Sequence, residues 1–355
     1  MKVVVAKETL ESILINAQSY FEKKDLSQIT SHVLLSIGND ELEIKATDFE
    51  IGYTYKTKNV NIANSGHATA NGTKFLQIIK SFKDGDITLE TINNSLYIKQ
   101  NSSKFKLPMF NHLEFPSFPE IENKPKFDID AEDFSKAIKK ITPAIDNNNP
   151  KFELNGALID IKNGFVNFVS TDTRRLAIFK KSKQTDQDFS LIIPKKAIIE
   201  FGKLFSENIE IFYDENTLIA KSEDFTFFAK LINGKFPDYE RIIPKEKHFR
   251  IQLNRDKMVE SIKQIAIISN EIKIILKPKN IIFESLNDEN IEAKTEIEFD
   301  TGLEDEIDLS FNSKYILDFL SSIEESSFVL GYNDSGLPFT LEAKDFITIV
   351  MPIIK

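Results

Sequence analysis

Apolar residues at Leu10, Ile13, Leu14 and Ala17 fall at i, i+3, i+4 and i+7, the stripe of an amphipathic helix. A shift of 124 brings the stripe back at Phe134, Ala137, Ile138 and Ile141, and a second shift of 124 brings it back at Met258, Ser261, Ile262 and Ile265. Only Ser261 breaks the apolar set. Three helical patterns in one phase at two equal intervals read as one module present three times. A second helix recurs in the same order, opening at Lys74-Phe-Leu-Gln-Ile-Ile, Lys196-Ala-Ile-Ile-Glu-Phe and Lys314-Tyr-Ile-Leu-Asp-Phe. Between the helices the period drops to two. Val166, Phe168 and Ser170 face one way and Asn167 and Val169 the other, after an Asn163-Gly164 pair that predicts a two-residue hairpin. Turn clusters at Asn93-Asn94, Asp214-Glu215-Asn216, Asn287-Asp288 and Asn333-Asp334-Ser335-Gly336 mark further short strands. Each copy therefore reads as an α+β domain, an antiparallel sheet with two helices on one face. The proline-bearing joints Asn123-Lys-Pro-Lys126 and Pro244-Lys-Glu-Lys247 divide the chain into 1–122, 123–245 and 246–355. Joints this short predict a rigid, curved rod of three domains.

Composition narrows the class. The 355 residues are 41% hydrophobic, with no run long enough to span a bilayer, and the N-terminus leads straight into a strand and helix without a leader pattern. There is no cysteine, which leaves no disulfide framework or thiolate chemistry and fits a reducing cytoplasm. The formal net charge of −10 is the wrong sign for a nucleic-acid binder unless charge is segregated. Segregation is visible on the helices. Lys74, Lys196 and Lys314 sit near the start of the second helix in each copy, and Lys136, Lys139, Lys140, Lys257 and Lys263 lie on the first-helix polar faces of copies two and three. Copy one departs, with Glu8 and Glu11. A lysine beside a helix N-terminus makes a phosphate site, although a simply solvated lysine is the commoner outcome.

Catalytic chemistry finds little support. His32, His67, His112 and His248 do not share ligand spacing, and no glycine-rich phosphate loop is present. Asp172 beside Arg174 and Arg175 reads better as a turn cap with a paired arginine than as a phosphoryl site. A metal-dependent nuclease would require carboxylates such as Asp48, Asp172 and Asp238 to converge. A monomeric peptide-binding adaptor is the other rival class.

Ser170-Thr-Asp-Thr-Arg-Arg-Leu-Ala177, Asn233-Gly-Lys-Phe-Pro-Asp-Tyr-Glu-Arg-Ile-Ile-Pro244 and Val350-Met-Pro-Ile-Ile-Lys355 closely resemble the bacterial DNA polymerase III β subunit family, the sliding clamps. The resemblance spans the whole chain. Two departures touch one site: Thr173-Arg174 stands where the family usually has a small residue and a His, and Ile353-Ile354-Lys355 where it often ends in Arg-Leu. The resemblance implies the clamp fold, sheets outside and helices inside, in a head-to-tail ring of two chains around duplex DNA. It implies a non-catalytic processivity factor without a cofactor. Implied partners are the polymerase α subunit, clamp-loader subunits, and other polymerases and repair proteins, all through short hydrophobic peptides. Geometry agrees: domains about 35 Å across leave almost no gap in a triangle of three but a hole of about 35 Å in a ring of six.

The same resemblance carries residues. A peptide pocket comprises Leu154, Thr171, Arg175, Leu176, Pro237, Arg241, Ile242, Val350, Met351, Pro352 and Ile353, an apolar cleft with two arginines offering rim hydrogen bonds. Leu176 alone reads equally well as core, whereas an apolar terminal segment is expected to dock. DNA-facing positions are Lys24, Asn148, Lys151 and Phe152, with Lys23 and Lys74 as companions. The ring joint pairs Phe105 and Leu107 on an edge strand with Ile267 and Ile268.

Overall fold

The computed structural model describes residues 1–25, 27–38, 40–185, 187–204, 209–286 and 292–354, so the expected turn at Asn287-Asp288 and the last residue, Lys355, lie outside it. The first copy runs β1 (Lys2–Ala6), α1 (Lys7–Ala17), β2 (His32–Gly38), β3 (Glu41–Thr47), β4 (Ile51–Thr57), β5 (Val60–Asn64), β6 (Gly66–Asn71), α2 (Gly72–Ser81), β7 (Asp86–Ile92), β8 (Ser95–Gln100) and β9 (Ser103–Pro108). The second runs β10 (Lys126–Ile129), α3 (Ala131–Ile141), β11 (Gly156–Lys162), β12 (Phe165–Thr171), β13 (Arg175–Ser182), β14 (Phe189–Pro194), α4 (Lys195–Leu204), β15 (Ile209–Tyr213), β16 (Thr217–Lys221) and β17 (Phe225–Lys230). The third runs β18 (Phe249–Asn254), α5 (Arg255–Ala266), β19 (Glu271–Leu276), β20 (Asn280–Ser285), β21 (Lys294–Glu298), β22 (Ile307–Asn312), α6 (Ser313–Ser322), β23 (Ser327–Tyr332), β24 (Phe339–Ala343) and β25 (Phe346–Val350).

The helical stripes form as their spacing requires. Leu10, Ile13, Leu14 and Ala17 are buried on α1, and Met258, Ser261, Ile262 and Ile265 on α5. Phe134, Ala137, Ile138 and Ile141 are buried on α3. Burying each large apolar side chain contributes about 1.5–3 kcal/mol. Ser261, the exception in the stripe, is buried as well, at 2% exposure. Asn71, Asn254 and Asn312 cap α2, α5 and α6 by accepting from the amides of Lys74, Lys257 and Lys314. The Asn163-Gly164 hairpin joins β11 to β12 with both residues in the left-handed region, φ 52° and 74°.

β12 has no outer polar face, because Val166 through Thr171 are all buried. One face of the strand packs towards α3, where Phe168 meets Phe134 at 5.7 Å. The other is covered by the segment following β17, whose Phe236 and Tyr239 cluster with Val169.

Nor does each copy keep its strands in one sheet. Residue contacts divide the chain into two compact units, Met1–Glu132 with Glu200–Leu231, and Asp133–Ile199 with Ile232–Lys355. In the first unit a five-stranded sheet, β5-β1-β7-β8-β9, belongs wholly to copy one. An eight-stranded sheet, β10-β15-β16-β17-β4-β3-β2-β6, joins copy two to copy one edge to edge through β17 and β4. In the second unit the same join is made between copies two and three in β14-β11-β12-β13-β25-β24-β23-β18, through β13 and β25. The four-stranded sheet β21-β20-β19-β22 belongs wholly to copy three. Both seams have one register. Ile51 lies opposite Ala229 and Arg175 opposite Val350, and these are corresponding positions in successive copies. The amide of Lys230 donates to Glu50 O at 2.8 Å in the first seam, and that of Met351 to Arg174 O at 2.9 Å in the second.

His32 opens β2 with its ring 4.4 Å from Phe110 and with Nδ1 buried and unpartnered. Burial pushes its pKa down to about 4. An unfolded histidine titrates near 6.5, so below that pH the unfolded chain binds a proton that the folded chain refuses. Stability is therefore complete above about pH 6.5 and falls by up to about 3 kcal/mol as pH drops towards 4. Urea unfolding at pH 7 and pH 4.5 checks this: His32→Phe should lose visibly less stability between the two than the parent chain does.

Candidate functional sites

The expected pocket residues fall within the second compact unit. Leu154 and Leu176 are buried together with Leu158, Val169, Ile178, Ile192 and Ile349, and Phe236 and Tyr239 close the cluster from the loop that also carries Pro237, Arg241 and Ile242. Tyr239 is held by donating from its hydroxyl to Asp160 Oδ2 at 2.6 Å. Lys162 lies over its ring at 4.9 Å and bonds Asp160 at 2.8 Å. Burial and then the Asp160 carboxylate raise the Tyr239 hydroxyl pKa, which keeps it a proton donor. The loop is thus fixed by a buried polar bond, while Pro237, Arg241 and Ile242 remain exposed.

Val350 is fully buried as the last residue of β25. Beyond it the backbone is tied twice, by Met351 N to Arg174 O and by Ile353 N to Ser310 O at 2.8 Å. Met351 and Ile354 stay exposed, and Pro352 and Ile353 are half-buried. The arrangement is an apolar floor of Leu154, Leu176 and Val350 with partly open walls of Pro237, Ile242 and Met351–Ile353.

Arg175 is not a rim donor, contrary to the expectation from sequence. Only 6% exposed, it bonds Asp172 Oδ2 through Nε at 3.0 Å and Asp318 Oδ2 through a terminal nitrogen at 2.7 Å. It also bonds the Pro143 carbonyl, and its guanidinium lies 4.5 Å from the Tyr315 ring centroid. All three guanidinium nitrogens are bonded within the protein, so it pins the β12–β13 turn to the turn after α3 and to α6 rather than greeting a ligand. Sequence reasoning missed Asp318 and Tyr315, whose only signal was their place in the repeated helix. Rim bonding falls to Arg241, which is exposed and pairs with Asp238 at 2.7 Å. Asp172 behaves as a turn cap, its Oδ1 accepting from Arg174 N at 3.1 Å and Arg175 N at 2.9 Å. The Thr171 hydroxyl is used internally, donating to Arg175 O at 2.7 Å. Thr173 takes the left-handed region at φ 72°. A β-branched residue is costly there.

The nucleic-acid candidates are surface groups in both units. In the first, Lys24 is exposed on a loop whose Glu22 carboxylate accepts from the Lys23 and Lys24 amides at 2.8 and 2.6 Å. Lys74 is exposed at the third position of α2. In the second, Asn148, Lys151 and Phe152 project from a loop organised by Asp146, which accepts from the Asn147 amide at 2.6 Å and the Asn149 side chain at 2.9 Å. Lys195 braces that loop through Ile145 O and Asn147 Oδ1. Phe152 is 74% exposed.

The expected joint residues lie at free sheet ends. Phe105 is exposed on β9 and packs on Phe82, whereas Leu107 is spent in the core of its own copy. Ile267 and Ile268 are exposed just past α5. Beside them a cleft of about 330 Å³ opens between α5 and β21, lined by Lys257, Glu260, Ser261, Gln264, Thr295 and Ile297, together with Glu298. Among the described residues no group of three or more His, Asp or Glu is placed to hold a metal ion, and no helix is long and apolar enough to cross a membrane.

Comparison with known proteins closes the case. Three family models match in order: the N-terminal domain of the DNA polymerase III β subunit over residues 1–119, its central domain over 128–238 and its C-terminal domain over 240–353. The β sliding clamp of Helicobacter pylori is 40% identical over 351 residues, covering 96% of this chain and 94% of that one. The Pseudomonas aeruginosa clamp is 28% identical, covering 99% and 100%. Among solved structures, the H. pylori β clamp bound to a DNA ligase peptide superimposes over the full length of both chains, with TM-score 0.94 and 38% identity. The P. aeruginosa clamp bound to griselimycin does so with TM-score 0.95 and 26% identity. Threefold module, seam-joined sheets and sequence kinship agree: the chain belongs to the DNA polymerase III β subunit family, the sliding clamps.

Proposed function

We propose that two of these chains close head to tail into a ring that encircles duplex DNA, slides along it, and tethers the replicative polymerase and other clamp-binding proteins through the Leu154–Leu176–Met351 cleft. The role is non-catalytic and cytoplasmic, and the copies meet at 122/123 and 245/246.

The observation that carries this is the unfinished seam. Tyr20, Ala144 and Ile268 occupy one position in the three copies. Tyr20 is 0% and Ala144 2% exposed, but Ile268 is 38% exposed. Phe105, Phe227 and Thr348 likewise correspond: Phe227 and Thr348 are buried in the two finished seams, and Phe105 alone is open. Copy three lacks the last strand of a following copy, and copy one lacks the β13-type strand of a preceding one. Placing β9 of one chain against β21 of another supplies both. Extending the register of the two internal seams sets Phe105 opposite Ala293 and Lys106 opposite Glu292. One face then carries Lys106 directly opposite Glu292 and Lys104 opposite Lys294, with Glu292 and Glu296 diagonal to Lys104, and the cleft beside α5 is filled by the second chain.

Sliding needs weak contact. Lys24, Lys74 and Lys151 supply phosphate attraction and Phe152 an apolar contact without base readout, while linkage rather than affinity retains the ring. The rival nuclease reading loses Asp172 and Asp48, each of which caps its turn through backbone amides.

The test is retention after clamp-loader assembly on nicked circular DNA and on the same DNA linearised. A ring persists on the circle through gel filtration and runs off the line. Equal retention on both would defeat the reading.

A further inference from the structure

We propose that the seam between copies one and two carries a second peptide-docking site, a twin of the Leu154–Met351 cleft with an acidic rim, which takes an extended peptide of alternating apolar and cationic residues. The proposal rests on the peptide reading of the first cleft only for the class of ligand.

The turn that organises the first cleft is reproduced, bond for bond, in copy one. Thr171 donates from its hydroxyl to Arg175 O at 2.7 Å, and Thr47 donates to Ile51 O at 2.7 Å. Thr173 N donates to the Thr171 hydroxyl at 3.1 Å, and Phe49 N to the Thr47 hydroxyl at 3.0 Å. Asp172 Oδ1 accepts from the next two amides, and Asp48 Oδ1 does the same for Glu50 and Ile51 at 3.0 and 2.9 Å. The third residue is left-handed in both, Thr173 at φ 72° and Phe49 at φ 74°. The seam bond beside the turn is shared as well, Met351 N to Arg174 O and Lys230 N to Glu50 O.

The covering loop is repeated too. Phe115-Pro-Ser-Phe118 stands 121 residues before Phe236-Pro-Asp-Tyr239. Phe118 packs edge-on against Phe228 at 4.8 Å. Phe228 in turn covers Gly52, where a Cβ would lie 2.0 Å from its ring. Gly52 is the counterpart of Leu176, so the Phe228 ring fills the place of that leucine, while Thr30 stands for Leu154 and Ala229 for Val350. What changes is the rim. Glu50 stands for Arg174 and Glu120 for Arg241, while Lys230 takes the place of Met351 on the opposite wall. Two cations have become two carboxylates.

Phe49 supplies the second, independent observation. A bulky residue is held in a backbone region that glycine or asparagine would occupy freely, and its ring is 51% exposed. Glycine or asparagine would hold the turn with less backbone strain. A ring presented at the mouth of the turn serves as the apolar contact for a docked side chain, and Glu50 and Glu120 select cations beside it.

Fluorescence anisotropy on the full chain, using the labelled hexapeptide Lys-Leu-Lys-Phe-Leu-Lys and its counterpart with Glu for Lys, tests this. The cationic peptide should bind and its acidic counterpart should not. Phe49→Asn suits the left-handed turn, so it should hold or raise Tm while weakening the cationic peptide about tenfold. Because that substitution leaves net charge unchanged, nonspecific attraction to an acidic chain cannot produce the loss. Glu50→Lys should weaken binding by a similar factor, and deletion of residues 351–355 should leave it unchanged. Absence of binding, indifference to both substitutions, or loss on the deletion would each overturn the second site. A fault in the first cleft shows separately, as polymerase capture that survives the deletion.

Discussion

A chain lacking Met351–Lys355 should fold, dimerise and still fail to hold the polymerase. β25 ends at Val350, and the pairing of Arg175 with Val350 lies outside the deletion, so the seam survives. The buried cluster of Leu154, Leu176, Ile349, Phe236 and Tyr239 also survives, because none of its members is removed. What goes is the wall: Met351, tied to Arg174 O, and Ile353, tied to Ser310 O, with Pro352 between them. A hydrophobic peptide would then meet a floor with one side missing. Loss of anchors of this kind costs about 2–4 kcal/mol, or about thirty- to a thousandfold in affinity. Surface plasmon resonance against the polymerase α subunit measures the affinity, and sedimentation checks that the species remains near twice 40.6 kDa. Processive synthesis by the truncated chain would remove the pocket from where we place it.

The second large effect is expected at the free edges. Reversing Lys106 to Glu turns the attraction across the β9–β21 joint into a repulsion with Glu292, which the register sets directly opposite. Single exposed pairs are worth little, but enforced like-charge contacts in a paired strand cost several kcal/mol. The dimer should weaken about a hundredfold or more, and more strongly at low salt, where screening is least. Adding Glu292→Lys to the reversed chain should restore it. Sedimentation equilibrium of the three proteins decides the matter: a reversed chain that stays fully dimeric, or a double variant that stays monomeric, would mean the two strands do not meet in this register.

Much of the fold was legible because its strongest signals are local. Equal intervals between amphipathic stripes report burial on one helix face, and they placed α1, α3 and α5 without any tertiary knowledge. Asn163-Gly164 announced its hairpin through backbone freedom alone. Asp172 read correctly as a cap because an aspartate two residues before exposed amides has few other options. The sheets resisted for the opposite reason. Nothing in β17 or β4 by itself says that the two pair, since edge pairing is settled by packing between copies. Arg175 misled because its second carboxylate lies 143 residues away on α6, beyond any local pattern.

The seam specifies a neighbour, not a number. Any copy offers the strand that the next one seeks, in one hydrogen-bonding register, so the chemistry of the contact is indifferent to where the polypeptide happens to be interrupted. Copy number per chain becomes an accident of gene length, and closure is left to curvature. For such a molecule, the break between subunits is simply the one seam that translation left unsewn, and so the natural place for the loop to be opened and shut again.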